Sequence, residues 1–265
     1  MMRRALFTIA LVLAATSVQA QTKDRLDRRD KLFGFEAVGL LEGPGGSCTA
    51  ALITREVIVT AAHCVHRKPG KYTFRAAFSD GAALATRSVE GFAIPTAYVN
   101  ADSTGNRSDE IENDVALGRL ASPIYDAGIY PYEIAEAPGR GTQLTLASYG
   151  RGRMGALQLE RGCSLNTRYR GGVSRIDCDA TYGSSGAPVF VTIGGRPRIF
   201  SVVSSGVNTG GDGDYTLGVE LTELVPHLLQ ELRNQRSLAP AITGARRAKI
   251  GERTTGGARF VRPGG

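Results

Sequence analysis

The chain has 265 residues and four cysteines, and 42% of it is hydrophobic, enough for one large domain or two small ones. A formal charge of +7 points to nucleic acid or membrane only until its distribution is read. Arg3 and Arg4 carry +2 and the stretch after Arg236 carries +5, so 21–236 is neutral, which excludes a nucleic-acid-binding body.

Arg3-Arg4, the apolar run from Ala5 to Ala15, and Val18-Gln19-Ala20 before Gln21 predict an export signal over 1–20. That run is short for a bilayer span, and no later stretch approaches its length. No integral membrane segment is therefore expected in the mature chain, with a retained N-terminal anchor as the alternative. Residues 21–33 are polar and charged, which predicts a leader outside the core. From Phe35 onward, short apolar runs at 37–41, 48–53, 57–60, 72–78, 115–120, 143–148, 189–193 and 199–204 are separated by glycine-rich turns. With 34 glycines and little helical periodicity, the texture is that of an all-β sandwich or barrel. About 200 residues of it suit two packed barrels, over 34–122 and 141–220.

Segment 101–113 reads as a polar surface loop, and its Asn106-Arg107-Ser108 matches a glycosylation sequon by chance. Pro123, Pro131 and Pro138 mark a connection over 123–140. After Glu220 the period changes: Leu221, Leu224, Val225, Leu228, Leu229 and Leu232 recur at three- and four-residue steps. They predict a helix over 221–236, with Thr222 as its cap. Residues 237–265, rich in Gly, Arg and Thr, predict a basic disordered tail, either simply solvated or touching anionic surfaces.

Export makes the cysteines readable, because an oxidising compartment favours bridges. Four cysteines allow three pairings. Cys48 with Cys64 and Cys163 with Cys178 are favoured, each pair being close in sequence and on neighbouring predicted strands. Zinc held by Cys48, His63, Cys64 and His66 is the alternative for the first pair, but the spacing matches no common finger, and no metal is predicted.

Three stretches carry chemistry. Thr60-Ala61-Ala62-His63-Cys64 sets an imidazole among small neighbours at a strand end, where its edge is free to act as a general base. Among the three histidines, His66 in a polar turn and His227 on the C-terminal helix read as surface residues. Asn113-Asp114-Val115-Ala116-Leu117 places a carboxylate at the mouth of an apolar strand, where burial demands a donor such as an imidazole. Asp102, Asp109 and Glu112 lie in the polar loop and read as solvated. Gly183-Ser184-Ser185-Gly186-Ala187-Pro188 offers a serine on a glycine-flanked turn. A serine hydroxyl needs an adjacent base to attack a carbonyl, and the Gly183 and Ser185 N–H groups can converge on the oxyanion that forms.

These motifs, in this order, resemble those of trypsin-like serine peptidases of the chymotrypsin fold. The likeness is nearest to exported bacterial members, including the glutamyl-endopeptidase-like branch, and covers 35–235. It implies two six-stranded antiparallel β-barrels, a C-terminal helix closing the second, and a catalytic site of His63, Asp114 and Ser185 in the cleft between them. The pattern Gly-x-Ser-Gly-x-Pro selects Ser185 over Ser184. Val202-Val203-Ser204-Ser205-Gly206 resembles the strand that pairs with substrate, so Ser204 would contact Asp114 and Gly206 would bond the substrate main chain. Tyr149-Gly150 resembles the element that opens the second barrel. The implied substrate is a polypeptide, the implied compartment is periplasmic or extracellular, and no cofactor is needed.

Two departures matter. Animal digestive members insert a new N-terminus against an aspartate beside the serine; Ser184 stands there instead, so activity without that cleavage is expected, although leader removal over 21–33 could regulate it. Asp179 lies six residues before Ser185, where trypsins carry the aspartate that selects Arg or Lys, but the extra pocket disulfide is missing. Specificity for Glu is disfavoured because no histidine falls between 200 and 220. The rival classes are an inactive binding protein on the same scaffold and an esterase; the latter lacks the Gly-x-Ser-x-Gly turn of α/β hydrolases.

Overall fold

The computed structural model describes residues 23–26, 32–150, 152, 154–207 and 214–238. The export signal over 1–20 and the tail beyond 238 lie outside the described residues. A short strand, β1 (Lys23–Leu26), precedes two barrels. The first is built from β2 (Val38–Gly43), β3 (Gly46–Thr54), β4 (Val57–Thr60), β5 (Tyr72–Ala76) and β6 (Ala85–Ala93). Helices α1 (Thr96–Thr104) and α2 (Arg107–Glu112) then lead to its last strand, β7 (Ala116–Leu120). Antiparallel pairing in the order β2-β3-β4-β7-β6-β5 closes the barrel through β5 and β2. Closure removes the exposed edges that an open sheet would present, and alternate residues such as Leu52, Ile58, Phe74 and Leu117 point inward and are fully buried.

The second barrel comprises β8 (Gln143–Ser148), β9 (Leu157–Arg168), β10 (Val173–Ile176), β11 (Pro188–Ile193), β12 (Arg196–Val207) and β13 (Tyr215–Glu220). Its ring runs β9-β10-β13-β12-β11-β8 and closes through β8 on β9. The expected pair of six-stranded antiparallel barrels is therefore present. Cys48–Cys64 ties β3 to the turn after β4, and Cys163–Cys178 ties β9 to the segment after β10, as the sequence predicts. With sequence separations of 16 and 15 residues, each bridge restrains the unfolded chain by about 3 kcal/mol.

Three expectations are corrected. The leader is not wholly outside the core, because Lys23–Leu26 pairs with Leu157–Glu160 of β9 and both Leu26 and Leu32 are buried. Segment 101–113 is not a loop: it holds the end of α1 and all of α2. Gly105 ends α1 in the left-handed conformation, and the Asn106 side chain caps α2 by accepting from the Asp109 N–H, so this asparagine has a local backbone role. Lastly, α3 (Leu224–Leu238) follows the second barrel but docks on β6 and β7 of the first. Its buried Val225, Leu228 and Leu232 join the hydrophobic cluster of that barrel. Arg119 Nη1 fastens it there by donating to the Leu232 carbonyl at 2.8 Å.

Candidate active site

His63 sits in a single 3₁₀ turn, Ala62–Cys64, directly after β4. Ala61 and Ala62 are buried, and Lys68 Nζ donates to the His63 carbonyl at 2.7 Å. The disulfide from the next residue, Cys64, to β3 pins the same turn. The imidazole is consequently fixed at its base while its side chain keeps 34% of its surface exposed.

Asp114 lies between α2 and β7 and is 3% exposed. Its Oδ1 accepts the His63 backbone N–H at 2.8 Å, and its Oδ2 faces His63 Nδ1 at 2.7 Å. Ser204 Oγ, reaching over from β12 of the second barrel, donates to Oδ2 at 2.6 Å. A carboxylate can only accept, so the proton belongs on Nδ1 and the Nε2 lone pair is left free. Three donors make the buried charge tolerable. Tyr98 of α1 is buried nearby, and its phenol is pushed well above the usual range by burial first and by the Asp114 charge second.

Ser185 is half-buried on the turn before β11. Ser184 beside it is fully buried; its hydroxyl donates to Ser148 Oγ at 3.1 Å and accepts the Thr181 N–H at 3.2 Å. Neutral hydroxyl bonds thus hold the Ser184 end of this loop. Gly183 has φ +92°, and a side chain there would strike the Tyr149 carbonyl oxygen. Gly186 has φ +75°, and a side chain there would strike Thr60 and Thr49. Both positions require glycine on conformation and on space. The close approach of Gly186 brings the serine turn against the segment that leads into His63.

Among the described residues neither the Gly183 nor the Ser185 N–H has a hydrogen-bond partner, and Ser185 makes no hydrogen bond to His63. In unliganded sites such serine–histidine contacts are often long and tighten with substrate. His63, Asp114 and Ser204 are thus directly bonded together, with the Ser185 turn abutting them. Gly206 pairs with Thr216 across β12 and β13. Asp179 is placed differently from the open pocket base that its spacing suggests. Its carboxylate pairs with Lys23 Nζ at 2.8 Å, and its N–H is held by Glu160 at 3.0 Å. The first cysteine pair leaves no open metal cage, since both sulfurs are spent in the disulfide and His63 Nδ1 is spent on Asp114.

Two surface assignments also change. His66 is mostly buried, with Nε2 at 3.2 Å from Asp102 and its ring edge-on to Tyr98, and Asp102 also pairs with Arg67 at 3.0 Å. His227 is exposed, as expected. Sequence reasoning missed Thr49. Its N–H donates to the Ser185 carbonyl and its hydroxyl to the Gly183 carbonyl, both at 2.9 Å, while the Tyr149 N–H donates to that hydroxyl at 3.0 Å. A buried threonine next to a bridged cysteine gives no sequence signal of such a role. Lys23 and Glu160 were missed for the same kind of reason.

A double barrel with a histidine–carboxylate pair from one half and a glycine-flanked serine from the other defines a chymotrypsin-like protein. The family model described as Trypsin matches residues 33–225, and the chain belongs to that family. It is similar to a glutamyl endopeptidase of Bacillus licheniformis, with 24% identity over 213 residues, or 76% of this chain and 64% of the relative. The chain thus spans just under two thirds of that relative's length. Among solved structures it resembles a Glu endopeptidase in complex with MPD (TM-score 0.66, 18% identity, covering 81% of this chain and 98% of the other). It also resembles the protease Anisep from Arthrobacter nicotinovorans (TM-score 0.59, 18% identity, covering 75% and 96%). At such identities the structural likenesses speak for the fold.

Proposed function

We propose that this protein is an exported serine endopeptidase. His63 Nε2 takes the Ser185 proton as the hydroxyl attacks a peptide carbonyl. The Gly183 and Ser185 N–H groups receive the oxyanion, and His63 then protonates the leaving amine. Water repeats the sequence on the acyl-enzyme, and Asp114 stabilises the imidazolium formed in each half-reaction. The observation that carries this reading is the shielded Asp114 carboxylate, which accepts from both His63 donors and from Ser204 beside the serine turn. The two disulfides fit export, and no helix among the described residues is long and apolar enough to cross a membrane.

A fluorophosphonate probe tests the chemistry. The folded mature protein should label at one site, Ser185→Ala should abolish labelling, and kcat should fall about 10⁶-fold. A folded protein that does not label would instead be a binding protein on the peptidase scaffold; the unbonded Gly183 and Ser185 amides argue against that outcome.

Cleavage after Arg or Lys rests on Asp179. A second reading, cleavage after Glu, is favoured by the Lys23 ammonium that already neutralises that carboxylate, and it matches the name of the Bacillus relative. A substrate cation would have to compete with an internal one, which weakens the attraction for basic side chains. Cleavage profiles over a peptide library decide: dominance of Arg and Lys before the cut restores Asp179 as a selecting group, and dominance of Glu removes it.

A further inference from the structure

β9 is twelve residues long, and β8 runs along one of its edges. The other edge is shared: β10 covers Leu165–Arg168, and β1 covers Leu157–Glu160. This register sets Lys23 opposite Glu160, a carboxylate that is 1% exposed. The Lys23 side chain, itself 9% exposed, brings Nζ to 3.4 Å from Glu160 Oε2 and 2.8 Å from Asp179 Oδ2. Nζ also donates to the Asp179 carbonyl oxygen. Both Glu160 oxygens accept the Asp179 N–H at 3.0 Å. One buried ion pair therefore holds the main chain of residue 179 on both sides, by its N–H and by its C=O.

Asp179 stands at the head of the segment that bears the reacting groups. The preceding residue, Cys178, is bridged to β9, and its carbonyl accepts Thr216 Oγ1 at 2.6 Å. Beyond Asp179 come the Thr181–Ser184 hydroxyl bond and then Gly183 and Ser185. Between the Cys178 anchors and the Ser184 bonds, the Lys23–Glu160 pair ties down the start of this loop. Glu160 has a cation to answer it only because β1 carries one there.

We propose that Lys23 is a positioning residue: β1 supplies an internal ammonium that holds the Asp179 backbone and, through it, the loop bearing the Gly183 and Ser185 amides. The N-terminal segment from Lys23 is then a working part of the enzyme, and proteolysis after it switches activity off rather than on. This inference rests on the reading of Ser185 as nucleophile and of Gly183 and Ser185 as oxyanion donors.

The test uses the mature full chain with Lys23→Met, Lys23→Arg and the double variant Lys23→Met/Glu160→Gln, on one peptide substrate, with melting midpoints measured alongside. Wild-type labelling by the fluorophosphonate comes first, and its failure would defeat the proposed function, not this inference. Lys23→Met should lose about 10²-fold in kcat with a smaller change in KM, the scale at which small misplacements of catalytic groups register. Lys23→Arg should restore most of the loss. The double variant leaves no stranded buried carboxylate, so its melting midpoint should recover while kcat stays low. Wild-type kcat in Lys23→Met, or a double variant that regains kcat together with its midpoint, would overturn the proposal by reducing Lys23 to an ordinary stabilising contact.

Discussion

Asp114 beside the first barrel and Glu160 within the second are both nearly free of solvent, and among the described residues they are the two buried carboxylates. Their partners differ in kind. Asp114 meets an imidazole, a main-chain N–H and a hydroxyl, so its charge is balanced fully only when His63 takes up a proton. Glu160 meets a standing ammonium and a main-chain N–H. Burial pushes the Glu160 carboxyl above its ordinary range, with the Asp179 N–H and Lys23 pulling the other way. A buried acid facing a group that gains and loses a proton can take part in a reaction cycle. One facing a fixed cation can only hold structure in place. On the proposed reading the two halves use the same costly group for different ends: turnover in one, alignment of the loop in the other.

Asp114→Asn breaks the comparison most severely. The side-chain amide can donate to His63 Nδ1, which drives the ring proton onto Nε2, where it blocks proton abstraction from Ser185. The expected loss is about 10⁴-fold in kcat, with the fold retained by thermal melting. If kcat falls less than tenfold, Asp114 is a structural acid like Glu160, and the distinction between the two collapses.

Thr49→Val probes what joins the halves. The threonine is fully buried on β3, with bonds to Gly183, Ser185 and Tyr149 in the second half of the chain. Valine keeps the shape and strands the buried Tyr149 N–H, at a cost of about 1–3 kcal/mol in denaturant unfolding. A smaller loss of kcat than for Asp114→Asn should accompany it, because the Gly183 carbonyl is released while the histidine–aspartate pair is untouched. Unchanged stability would mean that the barrels align without this bridge.

The difference between the halves also tracks what could be read in advance. His63, Asp114 and Ser185 each sit in a run of a few residues whose local chemistry is distinctive, so they are legible one motif at a time. The runs at 57–60 and 189–193 are legible as strands because the first is buried throughout and the second over Val189–Val191, which leaves each a continuous apolar stretch. By contrast, β6 alternates half-buried and exposed residues between its buried ends and carries Arg87 and Glu90, so it has no continuous apolar signature. Lys23 falls in a charged stretch that reads as solvated, and its partner Glu160 lies 137 residues away in a strand rich in polar residues. The register of β1 on β9 is what makes them neighbours. Helix α3 is legible from its period, but the period names the face it buries and not the barrel that receives it. Pairings set by tertiary register have no local sequence mark.

The finest test of the comparison is a slope, not a level. A carboxyl raised in the folded state keeps its proton to higher pH than the same group in the unfolded chain. Between those two values the folded form binds more protons, so stability falls as pH rises. The Glu160 contribution is thus fully present below the ordinary carboxylate range and lost as pH climbs through the raised value. Glu220 runs the other way: burial alone would raise it, but Arg168 and Ser174 together outweigh burial and lower it. Its contribution is present above the ordinary range and lost as pH falls through the lowered value. Replacing Glu160 with Gln should therefore shift unfolding midpoints, relative to wild type, increasingly in the variant's favour from about pH 4 upward. Glu220→Gln should instead lose ground to wild type lower on the scale, as pH climbs from the lowered value to the ordinary carboxylate range, and run parallel to it above that range. Parallel midpoint curves for wild type and Glu160→Gln would mean that the second buried acid titrates normally, and that its burial costs the fold nothing that Lys23 needs to offset.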